Sequence, residues 1–157
     1  MWSRASGAKI LGKHRFDKLF SAEEANELIP RLEVLVRDLQ VQAGEMRKRI
    51  ADLARFDDKL AQLDLPEVIT RYPELRPLAT RMSEIASEIQ EMGCFLKDID
   101  QGLIDFPFLI EGDGDEEDDI VFLCWQYGEP RVVAWHSVES GFGQRQPLPG
   151  ASKPLLN

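Results

Sequence analysis

Several polar residues in the last third of the chain have the types and spacing that acid–base chemistry or ligand binding requires. They lie at the end of the second predicted helix, on the predicted strands and in the turns that follow: Lys97, Asp98, Asp105, Glu129, His136, Glu139 and Arg145. A carboxylate beside an imidazole favours the cationic imidazole and fixes its orientation, so His136 with Asp105 would form an acid–base pair or part of a metal site. The alternative is that these residues satisfy backbone groups at the end of a sheet and anchor a turn at Gly141 and Gly143. A lone histidine outside any ligand motif favours this structural interpretation.

The common motifs of metal sites and of nucleotide-binding or acyl-transfer enzymes are missing from the sequence. It has no HExxH, no paired-cysteine motif and no Glu-x-x-His on a helix, and its two histidines, His14 and His136, lie far apart. The Walker, GxGxxG and GxSxG motifs are missing as well. We therefore predict no metal site, and the catalytic residues and any cofactor stay unassigned.

The negative charge of the chain is concentrated in one short segment. The formal net charge is −9, and seven acidic residues lie within "EGDGDEEDD" at 111–119. An EF-hand calcium loop requires Gly at its sixth position and Glu at its twelfth, but frames that start at Glu111 or Asp113 provide neither. We therefore expect a solvated hairpin loop. Clustered Lys and Arg do not dominate the rest of the chain, so we expect no nucleic-acid partner.

Apolar runs and cysteine usage bear on where the protein acts. No apolar run approaches the length that spans a bilayer, and the start lacks the continuous apolar core of a secretory signal. We therefore expect a cytoplasmic protein with no membrane partner. Cys94, in a predicted helix, and Cys124, in a predicted strand, have no CxxC spacing, so two reduced core thiols are favoured over a disulfide or a metal pair.

The first long helix begins at a capping signal. Ser21 can cap the helix, Glu24 can reach back to complete a capping box, and Phe20 precedes them. From there apolar residues recur mostly every three or four positions as far as Leu53, with Gln42 and Arg49 as interruptions, which is the pattern of a core-facing amphipathic helix. Pro30 lacks an N–H and is expected to kink this helix within its first turns.

A second helix is predicted after a proline-rich connector at 64–77. Its apolar residues step by three and four without a miss, as in a heptad seam: Leu75, Leu78, Met82, Ile85, Ile89, Met92, Leu96 and Ile99. Ala79, Ala86 and Gly93 recur every seventh residue beside this seam, and such small side chains let another helix approach closely. We therefore predict a long antiparallel helical hairpin over 21–100, with arms of about 60 and 40 Å at 1.5 Å per residue.

The sequence period then changes to that of strands. Three strands are predicted, at 103–110, 120–125 and 131–136. Pro107 marks the first as an edge or bulged strand. The turn "QYGEP" is expected to pair Gln126 with Arg131, which places Phe122 and Trp135 on one face and leaves both faces of the strands largely apolar. Helices can cover one such face, and the need for a second cover favours self-association, most simply as a homodimer.

Three blocks of the sequence carry a resemblance to a known family: "LFSAEEANELIPRL", "GCFLKDIDQGLIDFP" and "LCWQYGEPRVVAWHSVESGFGQRQPL". Together they resemble an uncharacterised family of small prokaryotic proteins, domain of unknown function family 2203, over most of the chain. The pattern of that family falls on the following positions: Lys97, Asp98, Gly102, Asp105, Phe106, Cys124, Trp125, Gly128, Glu129, Trp135, His136, Gly141, Phe142 and Arg145. The acidic insert at 111–119 and Gln144, where Gly is typical, depart from it. The resemblance implies an architecture and a polar cluster but no reaction.

These patterns predict an α+β protein in which a long antiparallel helical hairpin precedes a small antiparallel β-sheet of about three strands. The predicted boundaries are an irregular basic extension at 1–19, a single domain at 20–148 and a tail at 149–157; the domain contains the hairpin at 21–100, the sheet at 103–137 and an exit loop at 138–148. The candidate ligand-binding residues are Lys97, Asp98, Asp105, Trp125, Glu129, His136 and Arg145. The leading hypothesis is a self-associating binding or assembly module. The alternative is a small-ligand or metal-dependent enzyme that uses His136, Asp105, Glu129 and Arg145.

Overall fold

The computed structural model describes residues 9–11 and 14–148, which form an α+β fold. The strands and α-helices follow one another in this order: β1 (Lys9–Leu11), β2 (His14–Phe16), α1 (Ala22–Ala54), α2 (Leu65–Arg71), α3 (Arg76–Glu91), β3 (Phe95–Asp98), β4 (Leu103–Ile110), β5 (Asp119–Gln126), β6 (Ala134–Ser137) and β7 (Gln146–Pro147). The predicted tail, 149–157, and parts of the predicted basic extension, 1–8 and 12–13, lie outside the described residues. The fold class is confirmed, whereas the helices and strands are more numerous than predicted.

The first helix begins where its capping signal predicted. The N–H of Glu24 donates to Oγ of Ser21 at 3.0 Å, and the N–H of Ser21 donates to Oε1 of Glu24 at 3.1 Å. The helix, α1, has 33 residues and continues through Pro30, so it is about 50 Å long. None of the described helices, α1 included, combines the length and the apolar composition that crossing a membrane requires.

The connector between the long helices is more ordered than predicted. It contains 3₁₀ turns at Asp58–Gln62 and Pro73–Leu75, with α2 between them. Asp64 and Glu67 form a second capping box, with both bonds at 2.9 Å, and Pro66 lies in the first turn of α2. Proline is tolerated in the first turn of a helix because its missing N–H has no partner there in any case. The prolines of this connector therefore begin helices, and the prediction of a simple two-helix hairpin is wrong.

The last predicted arm is shorter than its apolar pattern suggested. α3 ends at Glu91, and Gly93 follows with a φ of 94°, which lets the chain turn directly into β3. Leu96 and Ile99 continue the helical repeat in sequence, and both still pack against the main core. They do so from β3 and the turn after it, so the apolar period extends past the end of the helix.

The sheet has five antiparallel strands instead of the three predicted, in the order β3-β4-β5-β6-β7. The two added strands, β3 and β7, form its edges. β3 pairs with β4 only as far as Asp105, so at Pro107 none of the described strands pairs with β4 on that side. The carbonyl of Pro107 there accepts a hydrogen bond from the N–H of Phe20 at 2.7 Å. Proline is tolerated at such a position because no ladder bond to its nitrogen is lost.

The register between β5 and β6 differs from the prediction by one residue. Phe122 pairs with His136, and Leu123 pairs with Trp135. The prediction had placed Phe122 and Trp135 on one face, and a one-residue slip moves every side chain of a strand to the other face. The connection at 127–133 is longer than the predicted five-residue turn, which accounts for the shift.

Both faces of β5 are buried, as predicted, but other residues of the same chain cover part of each face. On the inner face, Phe106 and Trp125 join residues of α1 and α3 in the main core. On the opposite, outer face, Phe16 and Leu19 pack with Phe122. The sequence had predicted an irregular segment before residue 20, whereas the structure contains the paired strands β1 and β2 there. The apolar outer face therefore does not by itself require a second copy of the chain.

The acidic segment forms the connection between β4 and β5. Its residues 111–118 are exposed apart from the half-buried Gly112, whose N–H donates to Oδ1 of Asp118 at 3.0 Å. This arrangement is the solvated hairpin loop that the sequence predicted.

Candidate functional site

The strand register brings three reactive side chains together on the outer face of the sheet. Asp105 on β4 pairs with Cys124 on β5, and Cys124 pairs with Ala134 on β6. His136 lies two residues beyond Ala134 and therefore on the same face. Asp105 and His136 are each 3% exposed, and Cys124 is fully buried. The sheet thus holds a carboxyl group, a thiol and an imidazole side by side, shielded from water.

Asp105 and His136 form a hydrogen-bonded pair. Nε2 of His136 lies 3.0 Å from Oδ1 and 3.1 Å from Oδ2 of Asp105. Nδ1 lies 2.8 Å from the carbonyl oxygen of Ser137, and because a carbonyl only accepts, Nδ1 carries a proton. The contact between Nε2 and the carboxyl group holds one further proton, since two unprotonated acceptors would repel each other. Whichever group carries that proton, the pair has no net charge, which reduces the cost of burying it.

Burial also changes the acidity of this cluster. It raises the pKa of Asp105, because the ionised carboxylate is poorly solvated, and the hydrogen bond from His136 opposes this rise. Burial likewise raises the pKa of the Cys124 thiol to about 12, and the negative charge of Asp105 adds to the increase. Cys124 is therefore protonated at neutral pH and is not a nucleophile by itself.

A small cavity of about 150 Å³ opens beside the Asp105–His136 pair. We call it the outer pocket and define it by its lining residues: Lys97, Leu103, Asp105, Phe122, His136, Val138, Ser140, Gly141 and Phe142. Its floor comes from the strands, and one wall comes from the exit segment at 138–148. The cavity is large enough to admit a small molecule or several waters.

Lys97 brings a positive charge to the outer pocket. The sequence placed this residue at the end of a helix, which is wrong, because it lies on β3. Its Nζ lies 5.1 Å from the ring centroid of Phe122 and 5.6 Å from that of Phe95. Cation–π attraction to the two rings helps to hold the ammonium group at the pocket.

Glu129 and Arg145 brace the wall of the outer pocket from outside it. Nη1 of Arg145 donates to Oε1 and Oε2 of Glu129 at 3.0 and 3.1 Å. The Arg145 guanidinium also lies 4.3 Å from the ring centroid of Phe142. Glu129 in turn accepts a hydrogen bond from the N–H of Gln126 at 2.7 Å. These contacts tie the exit segment to the end of β5.

Two of the predicted site residues lie away from the outer pocket. Oδ1 of Asp98 accepts a hydrogen bond from the N–H of Gln101 at 2.8 Å, which closes the turn between β3 and β4. Trp125 is buried in the main core, and its Nε1 donates to the carbonyl of Glu129 at 2.9 Å. Asp98 and Trp125 therefore shape the fold around the site without entering the pocket.

Sequence reasoning missed Cys124, Ser140 and Phe142 as neighbours of the candidate site. Cys124 was assigned to the core, and its position opposite Asp105 becomes evident only when the register of β4 and β5 is known. Phe142 belongs to the Gly-Phe block of the family resemblance, so that block was the available signal for the pocket wall. Ser140, whose Oγ accepts from Oγ of Ser137 at 2.9 Å, carried no such signal.

Among the residues that the structure describes, one group of three side chains has the donor atoms of a metal site. A carboxylate oxygen of Asp105, Sγ of Cys124 and a ring nitrogen of His136 all lie within 4.8 Å of one another. Carboxylate, thiolate and imidazole are the ligands that zinc and related transition metals take in proteins. The cluster thus has two possible roles, as a neutral hydrogen-bonded group or as a set of metal ligands.

Comparison with known proteins identifies the family of the chain. The family described as "Uncharacterized conserved protein (DUF2203)" matches residues 18–148, a range that contains α1, the five-stranded sheet and the outer pocket. No curated protein and no solved structure matches the chain significantly. The resemblance noted in the sequence is confirmed, and the chain belongs to the uncharacterized conserved family DUF2203.

Proposed function

We propose that the protein binds a small anionic molecule in the outer pocket. The observation that carries this proposal is the buried, hydrogen-bonded pair of Asp105 and His136 in the lining of the cavity. Ionisable side chains are rarely buried to this extent, because their removal from water costs free energy. Convergent polar groups in a cavity with apolar walls are typical of ligand sites.

Lys97 indicates the class of ligand. The Asp105–His136 pair is neutral as a whole, so the ionisable lining residues together carry the positive charge of Lys97. A positive charge at a partly enclosed cavity favours a carboxylate or phosphate group over a cation. The rings of Phe122 and Phe142 provide apolar contact area for the rest of a small molecule.

The hydrogen bonds of His136 favour binding over catalysis. Both of its ring nitrogens are engaged, Nε2 by Asp105 and Nδ1 by the carbonyl of Ser137. A histidine that acts as a general base holds its carboxylate with one nitrogen and faces the substrate with the other. The arrangement at His136 leaves neither nitrogen directed at the cavity, so the enzyme hypothesis is the weaker one.

Two glycines of the exit segment provide matched variants to test the proposal. Gly141 lines the outer pocket, and Gly143 does not. A Cβ at either position meets no heavy atom within 4 Å, and neither glycine has a positive φ. We therefore expect Gly141→Leu and Gly143→Leu to fold, with the outer pocket obstructed in Gly141→Leu.

Titration of isotope-labelled protein with inorganic phosphate and with small carboxylates, followed by NMR, tests the proposal. At least one probe is expected to shift the resonances of Ser140 and His136 in the wild type and in Gly143→Leu. The same probe should leave Gly141→Leu unchanged. If no probe shifts these resonances in the wild type, or if both leucine variants bind equally well, the outer pocket is not the site and the proposal fails.

We propose self-association as a second candidate function, in the form of a homodimer or an assembly module. Val34 and Val41 are 58% and 63% exposed and lie seven residues apart, on one face of α1. Apolar residues at this spacing suit packing against a helix of a second copy. Light scattering at micromolar concentration is expected to give a dimer mass for the wild type and a monomer mass for Val34→Glu with Val41→Glu. A monomeric wild type would reject this candidate.

We propose the cytoplasm as the site of action. Cys94 and Cys124 are both free and buried, which suits a reducing compartment. The exposed acidic loop at 111–118 would repel nucleic acid, so we continue to expect partners that are small molecules or proteins.

A further inference from the structure

We infer that Asp105, Cys124 and His136 bind a transition-metal ion such as Zn²⁺ next to the outer pocket, which Asp105 and His136 line. The inference rests on the proposed function, because the ion would give the bound anion a direct partner. The three side chains project from adjacent strands of one rigid sheet, and all three are almost completely buried. A buried set of oxygen, sulfur and nitrogen donors on rigid elements is the arrangement that a metal site needs.

The donor atoms already lie near the positions that a metal ion requires. Nε2 of His136 and Oδ1 of Asp105 are 3.0 Å apart, and Sγ of Cys124 lies within 4.8 Å of a carboxylate oxygen of Asp105 and of a ring nitrogen of His136. In a tetrahedral zinc site with bonds of about 2.0–2.3 Å, the donors lie about 3.3–3.8 Å from one another. Small side-chain movements, of about 1 Å at most for Sγ, would therefore accommodate the ion.

The orientation of His136 supports the assignment. Histidine ligands usually donate their second ring N–H to a carboxylate or a backbone carbonyl, which fixes the tautomer and directs the other nitrogen at the metal. Nδ1 of His136 donates to the carbonyl of Ser137 at 2.8 Å. Nε2 is thereby directed at Asp105, where the ion would replace the shared proton.

Charge balance at the buried site is also maintained. A divalent ion would displace the proton shared by Asp105 and His136 and the thiol proton of Cys124. The resulting carboxylate and thiolate together cancel the charge of the ion, and the imidazole is neutral. The site is thus uncharged with or without the ion, which limits the desolvation cost of either state. Three protein ligands would leave a fourth coordination position of the ion for a water molecule or for the anion.

Cobalt(II) provides a direct test, because a cobalt–thiolate bond gives a charge-transfer absorption in the near ultraviolet. Chelator-treated full-length protein is titrated with CoCl₂ and then with ZnCl₂. We expect one ion to bind with this absorption and Zn²⁺ to displace it. Cys94 offers a matched control, since it is also a buried free thiol and its Sγ donates to the carbonyl of Ile89 at 3.5 Å. Cys94→Ser should keep the absorption, whereas Cys124→Ser should lose it.

Affinity provides the second readout. Loss of an outer-shell partner typically weakens metal binding by roughly 10–100-fold, and loss of the Cys124 ligand is expected to weaken Co²⁺ binding by more. If Cys124→Ser does not fold, the loss of Co²⁺ affinity is measured with Asp105→Asn instead. This variant keeps an oxygen acceptor for His136. A wild type without the absorption, or a folded Cys124→Ser that retains it, would overturn the inference. So would unchanged Co²⁺ affinity in Asp105→Asn.

The two proposals fail in distinguishable ways. If phosphate or carboxylates bind to the wild type but cobalt gives no thiolate absorption, the metal inference alone fails. If cobalt binds with the absorption but no anion shifts the pocket resonances, the proposed function alone fails. Gly143→Leu, which lies outside the lining of the outer pocket and leaves all three metal ligands in place, is expected to bind Co²⁺ like the wild type.

Discussion

Oδ1 of Asn26 on α1 accepts a hydrogen bond from the backbone N–H of Val132 at 2.7 Å, across 106 positions of the sequence. The bond joins the first helix to the segment that leads into β6. It holds the connection at 127–133 against the helical layer and so helps to set the register in which His136 lies opposite Phe122. A contact between distant parts of the chain thus contributes to the placement of the outer pocket.

Loss of the Asn26 acceptor is predicted to destabilise the protein. Val132 is 3% exposed, so Asn26→Ala leaves its N–H buried without this partner and should lower the free energy of unfolding by about 1–3 kcal/mol. Asn26→Asp retains a side-chain oxygen at the same place and should cost less. Urea unfolding of the two variants measures the difference. Equal losses would show that the hydrogen bond is not the cause.

Features that depend on nearby residues were predictable from the sequence. The capping box of Ser21 and Glu24 involves residues three apart, and the structure has it where the sequence placed it. The exposed loop at 111–118 follows from its own charge. The pairing of Asp105 with His136 was suggested by residue type alone, and the structure brings the two together.

Features that depend on the packing of distant residues were not predictable. Leu96 and Ile99 fit the helical period because both pack on the core, although neither lies in a helix. The strand register that brings Cys124 beside Asp105 is fixed by the whole sheet, to which the bond from Val132 contributes. The sequence carries no motif for the proposed metal site because Asp105, Cys124 and His136 come from three different strands.

Two glycines are predicted to respond to alanine with opposite signs. At Gly93 the φ is 94°, and an added Cβ would lie 2.9 Å from Cβ of Lys18, so Gly93→Ala should destabilise the protein by more than about 1 kcal/mol. Gly44 lies within α1 and an added Cβ there meets nothing within 4 Å, so Gly44→Ala should stabilise it by about 0.5–1 kcal/mol. Thermal and urea unfolding compare the two. A destabilising Gly44→Ala would contradict this account.

The Asp105–His136 pair is predicted to behave as one energetic unit. His136→Ala leaves a buried carboxyl group without its partner and should lower the free energy of unfolding by about 3–5 kcal/mol. Replacement of both residues by alanine should cost less than the two single changes added together, with a coupling of about 0.5–3 kcal/mol. A double-mutant cycle in urea gives this coupling. Additive effects would mean that the observed hydrogen bonds contribute little.

Asp57 is predicted to make stability depend on pH in the acid range. The hydrogen bond from Arg71, and next the one from Tyr72, lower the pKa of Asp57 from 3.8 to about 2. A carboxyl group whose pKa is lowered by folding adds stability above its ordinary pKa, and this stability is lost as the pH falls through the folded-state value. Asp57→Asn should therefore melt below the wild type at neutral pH, and the difference should shrink between about pH 4 and pH 2.

Tyr72→Phe provides the control for that comparison. It removes the hydrogen bond of 2.6 Å from the Tyr72 hydroxyl to Asp57 but leaves the contact with Arg71. Its melting temperature should show a smaller pH-dependent difference from the wild type than that of Asp57→Asn. A difference for Asp57→Asn that remains constant down to about pH 2 would contradict the lowered pKa.

Arg145 is predicted to control the access of solvent to Cys124. Its two hydrogen bonds to Glu129 tie the exit segment to the end of β5, so their loss should let this segment open more often. Hydrogen bonds to charged groups contribute about 1.5–3 kcal/mol, and about 1.4 kcal/mol in the free energy of local opening corresponds to a tenfold change in population. In a Cys94→Ser background, Arg145→Ala should therefore increase the rate of Cys124 alkylation by about tenfold or more.

Arg37→Ala, on the exposed side of α1, should leave the rate unchanged. Equal rates in all three proteins would mean that the exit segment opens independently of its contact with Glu129, and that global unfolding exposes the thiol instead.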